Sequence, residues 1–341
     1  MCLLLLSDTM IDILFFVQVH LYRSSGDVFI NVIFHALEGI IGILIMVAIG
    51  YLLAMKGWFN EENSKLVPKL VNCISLPALM LWNLTSTFDK EKLLSLLYGL
   101  PVPFISMFLC FLLGFAIAKL LNIAPHHRGV FCTTFFCSNV VFIGIPVNLA
   151  LFGDDGTPYL LLYFLANAIF FWTIGNFLIG KDGTGSDIKL FSVTSIKNIF
   201  SPPLIGFVSA IIIILLGLHL PNFVMNTAKH LGGMTTPLSL MYIGIIMFGV
   251  NWENVSVNKD VIAILAGRFV ISPLLVLLVA YFIPIPSLME KVFIIQSAMP
   301  SMMLIAILAK VHEADTEYAT LLTAITTVAA AVAIPIYMLI M

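Results

Sequence analysis

The sequence predicts an all-α polytopic membrane protein of ten transmembrane helices, arranged as two inverted five-helix repeats. Three observations predict it. The 341-residue chain is 61% hydrophobic and 10% charged, more apolar surface than one soluble core can bury. Apolar runs of ~20 residues, the length that crosses the hydrocarbon as a helix, recur from residue 30 onward. Two of those runs, about 160 residues apart, are broken near their middles.

The spans fall roughly at 30 to 55, 64 to 87, 93 to 120, 128 to 152 and 157 to 180, then 202 to 220, 232 to 250, 259 to 283, 288 to 311 and 316 to 340. Loops after the odd-numbered spans collect Lys56, Lys65, Lys69, Lys119, Arg128, Lys181, Lys189, Lys197, Lys259 and Lys310, ten cations. The other side holds five, Arg23, Lys90, Lys92, Lys229 and Lys291. Short loops rich in Lys and Arg stay cytoplasmic, so both termini are expected on the non-cytoplasmic side of the membrane.

Residues 1–28 are apolar but carry Asp8 and Asp12, and they lack a basic start and a small-residue cleavage site. They read as an N-terminal extension outside the transporter unit of residues 29–341. Within that unit the polar stretch 181–201 separates a first repeat, about 29–180, from a second, about 202–341. Five spans per half make the second half enter from the opposite side, so any repeat is inverted. Laying the fourth span on the ninth without gaps puts Val130-Phe131 on Val292-Phe293 and Ser138-Asn139 on Pro300-Ser301.

The breaks carry the functional signal. In CSNVVFIGIPVNLALFG (137–153) Ser138, Asn139, Gly144 and Pro146 interrupt the run, and in SAMPSMMLIAILAKVHEAD (297–315) Pro300 and Ser301 do so. A proline removes a backbone donor, which hydrocarbon tolerates only where the freed groups line a protein-enclosed cavity. Gly144, Pro146 and Pro300 are therefore expected to set the geometry of the helix breaks. The following half-helices are expected to begin near Gly144–Pro146 and near Ser301, each presenting free amides and a positive dipole end to an anion. The preceding half-helices end in free carbonyls, which suit a cation or a positive side chain.

Four ordered motifs resemble the auxin efflux carrier family: VAIGYLLAMKGWFNEEN (47–63) with LVNCISLPALM (70–80), SNVVFIGIP (138–146) closed by Phe152-Gly153, the 297–315 stretch, and AIPIY (333–337). The resemblance spans nearly all of 29–341. It implies ten helices in two inverted repeats, with helices 4 and 9 unwound and crossing at the centre. It also implies carriage of small organic anions, the prokaryotic members being associated with malate, malonate and related acids as well as auxin-like compounds. Two departures stand out. Ser138 occupies the place of a proline in the plant exporters, and their long central loop is reduced here to about twenty residues.

The candidate substrate-binding residues are Asn139, Ser138, Ser301, Gln296 and Arg268. Asn139 can both cap a half-helix and touch a ligand; the two serines and Gln296 can hydrogen-bond a carboxylate or satisfy freed backbone. Arg268 is the one cation deep in a span, where charge marks a pathway or a pairing. It can grip a carboxylate or lock a helix end by bonding carbonyls. Glu38, the carboxylate within the first span, is a candidate for proton coupling. Asn167 and Asn176 are weaker polar candidates, since polar residues between helices often serve packing.

Several function classes are excluded. A net charge of −2 with short loops offers no nucleic-acid surface. No H-E-x-x-H, G-x-S-x-G or P-loop is present, so neither intramembrane hydrolysis nor ATP-driven transport has a chemical basis, and no enzyme is expected. No cofactor or metal is expected: the cysteines form no ligand pattern, Asp154-Asp155 sit at a loop, and His126-His127 read as solvated. The expected partners are a small organic anion and the lipid bilayer, and the chain could pair as a homodimer. The reading is a secondary transporter of small organic anions working by alternating access. A cation-coupled organic-acid symporter and a non-transporting membrane receptor are the rivals.

Overall fold

The computed structural model describes residues 41–42, 44–60, 63–183, 201–249 and 258–340. Residues 1–28, Glu38 and most of the 181–201 connection lie outside the described residues. The described chain is helical throughout, apart from the isolated pairing of Ser138 with Ser301.

In chain order the helices are α1 (Leu44–Met55), α2 (Asn63–Thr87), α3 (Lys90–Leu97), α4 (Pro101–Leu120) and α5 (Arg128–Phe136). Next come α6 (140–152) and α7 (157–182), joined by the 3-10 turn Gly153–Gly156. The second half comprises α8 (Pro202–Leu215), α9 (Asn222–Gly233), α10 (Thr235–Gly249), α11 (Lys259–Phe282), α12 (Ser287–Ser297), α13 (Leu304–Val311) and α14 (Thr316–Ile340). Six helical stretches among the described residues are long and apolar enough to cross a membrane. One of them, Val140–Asp182, is α6 and α7 together, folded back at Gly153–Gly156. Outward side chains such as Leu112, Ile212, Leu274 and Leu278 are exposed, as suits a surface solvated by lipid.

Prolines sit inside these helices without breaking them. Pro77, Pro146 and Pro273 each lie two residues after a π-helical turn: Val71–Ser75, Val140–Gly144 and Gly267–Ile271. A π turn is wider by one residue, so it takes up the ring that would otherwise clash with the preceding turn.

The helices form two packed groups. In the first, α1 lies backbone to backbone on α10: a Cβ on Gly50 would meet the Met241 carbonyl oxygen at 1.9 Å, and one on Gly244 would meet that of Val47 at 2.0 Å. The helices α8 and α9 pack on α2 in the same group. In the second, α4, α5, α6, α7, α11, α12, α13 and α14 surround a core rich in Phe131, Phe135, Phe136 and Phe293. Asp182 at the end of α7 accepts from the Gly129 and Val130 amides at 2.8 and 2.7 Å, filling the first turn of α5 with a carboxylate where the helix dipole favours one.

Candidate functional site

Both broken runs are interrupted in the second group, and the interruptions meet. After Phe136 the chain passes through Cys137, with φ −89° and ψ 126°, to Asn139, with φ −81° and ψ 65°. After Ser297 it leaves helical geometry until Leu304. Ser138 and Ser301 pair in antiparallel fashion, and the Asn139 amide donates to the Pro300 carbonyl at 2.8 Å. Each break thus satisfies part of the other's backbone, as hydrocarbon requires.

Two neighbours clamp the pairing. Asn167 of α7 accepts from the Ser138 amide at 2.9 Å and donates to the Ser138 carbonyl at 3.0 Å, acting as a short strand would. Thr326 of α14 accepts from the Ser301 amide at 3.2 Å and donates to the Thr323 carbonyl at 3.0 Å. Its single hydroxyl proton is thereby used, so in the 2.7 Å contact between the two hydroxyls Ser301 donates.

The Asn139 side chain caps α6: its Oδ1 accepts from the Phe142 amide at 3.1 Å. The second half-helix therefore starts at Val140, which corrects the expected start near Gly144–Pro146. The π turn Val140–Gly144 takes up Pro146, so Gly144 and Pro146 lie within a continuous helix instead of opening one. Gly144 serves close approach: Gln296 Nε2 donates to its carbonyl at 3.1 Å, and a Cβ there would meet Gln296 Oε1 at 2.1 Å. The half-helix α13 starts at Leu304, three residues beyond the expected Ser301, and Pro300 lies within the unwound stretch.

Arg268 is 0% exposed and projects from the π turn of α11. Its guanidinium donates to the carbonyls of Phe135 (3.2 Å), Ser297 (2.9 Å) and Met299 (2.7 and 3.1 Å), and to Ser138 Oγ (2.5 Å). Phe135 lies in the last turn of α5 and Ser297 ends α12. The guanidinium therefore bridges the negative ends of both first half-helices.

On the other side of the pairing, where α6 and α13 begin, lies a cavity of about 240 Å³. Its wall includes Asn139, Phe142, Phe164, Trp172 and Leu304 from the second group, with Asn72 and Pro202 from the first. It thus lies between the two helix groups, at the positive ends of two half-helices. Asn139 Nδ2 has no hydrogen-bond partner, although the residue is 1% exposed. Of the five candidate binding residues Asn139 is in the wall, while Ser138, Ser301, Gln296 and Arg268 are buried in the frame that holds the crossing.

The sequence reading does not identify Thr326 or Asn72; Asn72 was discoverable by the criterion that picked out Asn167, an amide inside an apolar span. Asn176 bonds His312 instead of approaching the crossing. His127 is not freely solvated: it stacks on Tyr318 at 4.1 Å and contacts Asp315 at 2.8 Å, whereas His126 is exposed. Asp154 and Asp155 are exposed in the Gly153–Gly156 turn. Among the described residues no group of three or more His, Cys, Asp or Glu could hold a metal ion.

Residues 35–338 match the family described as membrane transport protein, and that match covers nearly the whole chain. The chain belongs to this family. It is the auxin efflux carrier family of the motifs above. Two relatives are archaeal: an uncharacterized transporter of Methanocaldococcus jannaschii is 27% identical over 288 residues, 80% of this chain and 88% of the relative. A second, from Methanothermobacter thermautotrophicus, is 24% identical over 310 residues, 88% of this chain and 96% of the relative. The protein is accordingly an integral membrane transport protein of this family, surrounded by a bilayer.

Proposed function

We propose that this family member is a secondary transporter of small organic carboxylate anions that works by alternating access. The observation that carries the reading is the cavity at the starts of α6 and α13, whose wall includes Asn139, a residue with a buried and unpartnered Nδ2. The first amides of a helix have no intrahelical acceptor, and two such ends plus one amide donor suit a carboxylate. The cavity is walled by both helix groups, so rocking one group against the other would open it first to one face and then to the other. In this reading the ten spans form two inverted repeats whose fourth and ninth members cross, and both termini lie on the non-cytoplasmic side. Malate-like, malonate-like and auxin-like acids are the substrate classes to screen.

The test is a thermal-shift screen of the purified protein against mono- and dicarboxylates, followed by counterflow of the best stabiliser in proteoliposomes. Stabilisation and saturable counterflow support the reading. Saturable binding without flux would convert the protein into a membrane receptor, and flux that requires a sodium or proton gradient would make it a coupled symporter.

A further inference from the structure

Among the described residues the charges at the crossing do not cancel. Each helix end carries about half an elementary charge, positive where α6 and α13 begin and negative where α5 and α12 end, so the four ends sum to about zero. Arg268 adds one full positive charge. Its hydrogen-bond acceptors are three carbonyls and a hydroxyl, all neutral. No carboxylate among the described residues lies within ion-pair distance of it. The cavity wall on the far side of the crossing contains no charged residue.

We propose that the crossing is charge-matched to a monoanion, so that the loaded carrier changes the face it opens to with no net charge at the crossing and the empty carrier does so with a positive charge there. This rests on the alternating-access reading above. A dianion such as malonate would leave the loaded core with an uncompensated negative charge in a low-dielectric interior, which disfavours dicarboxylates. Asn139 Nδ2 and the two helix starts then bind one carboxylate, and the apolar wall of Phe142, Phe164 and Trp172 receives the rest of the molecule. The membrane potential acts on the return of the empty carrier, not on the passage of the loaded one.

The experiment compares two modes of flux in proteoliposomes with potentials set by potassium and valinomycin. Radiolabelled benzoylformate, a strong monocarboxylic acid that stays ionised, is the probe; malonate is the dianion. With saturating benzoylformate on both faces only loaded carriers move, and exchange is expected to be independent of potential. Net flux into empty medium requires the empty return and is expected to change severalfold per 100 mV, up to about 50-fold for a charge crossing the whole field. Exchange as voltage-dependent as net flux overturns the proposal, as does malonate carried faster than benzoylformate. Arg268→Gln should transfer the voltage dependence to exchange, whereas Arg268→Lys keeps the wild-type pattern; the wild-type comparison stands where a variant fails to insert. No flux of either acid in any mode withdraws the transport reading itself, and with it this inference.

Discussion

The amide of Asn139 donates to the carbonyl of Pro300, 161 positions away in the chain, at 2.8 Å. Through that bond two helices that could not remain broken alone in hydrocarbon become one unit. Asn139 also caps α6, lines the cavity and keeps its buried Nδ2 unpartnered.

Asn139→Leu removes the cap and the free donor while keeping the bulk. Losing a buried hydrogen-bonding group costs about 1 to 3 kcal/mol, severalfold or more in apparent affinity. The variant should insert and run monodisperse yet lose most of its flux per molecule in proteoliposomes. Wild-type flux would take Asn139 out of the site.

Pro300 lies in the open 298–303 stretch and supplies no amide to a helical ladder. Pro300→Ala restores the donor and lets α12 extend, pulling Ser301 away from Ser138. Turnover should fall further than melting temperature. A variant with wild-type turnover and affinity would show that the break is set by other residues.

Gly144→Ala places a methyl where Gln296 Oε1 lies, 2.1 Å from the new Cβ. Overpacking of this kind costs about 1 to 3 kcal/mol. The melting temperature in detergent should drop, and adding Gln296→Ala should recover part of the loss, since the second change vacates the space. Additive losses would place the strain elsewhere.

Outside the spans, burial favours the neutral acid at Asp315, but hydrogen bonds from the Tyr318 amide and the His127 ring outweigh it and hold the carboxyl below its ordinary 3.8. A depressed carboxyl contributes stability that is fully present above 3.8 and is lost as pH falls through its folded value. With its side chain 38% exposed, the contact is a surface pair, worth about 0 to 1 kcal/mol. Asp315→Asn should therefore lower the melting temperature slightly at pH 6 and not at all near pH 2. An equal loss at both would assign the effect to shape instead of charge.

The broken helices are legible in the sequence because Ser138-Asn139 and Pro300-Ser301 are polar or donor-free residues inside runs that otherwise read as uninterrupted. The start of α6 is not, because a π turn absorbs Pro146 and nothing in Val140–Gly144 announces one. The depth of Arg268 is legible, and so are its two open roles, gripping a carboxylate or bonding helix-end carbonyls. Which carbonyls it reaches is not, because every residue carries one. Thr326 is hidden among Thr320, Thr323 and Thr327 on α14. A threonine in a helix usually bonds its own preceding turn, as Thr323 does to Ala319 at 2.8 Å, and only the fold brings one of them to Ser301.

The most direct test of anion transport through the crossing is uptake of radiolabelled carboxylates by proteoliposomes bearing the wild-type protein or Ala168→Phe. Ala168 lines the cavity of about 240 Å³ and is itself buried, so the added ring would occupy the space between α7 and the starts of α6 and α13. The expected result is saturable uptake by the wild type above protein-free vesicles, and its loss in a variant that inserts and melts normally. Uptake no greater than in protein-free vesicles, or full uptake by the filled variant, would contradict the account.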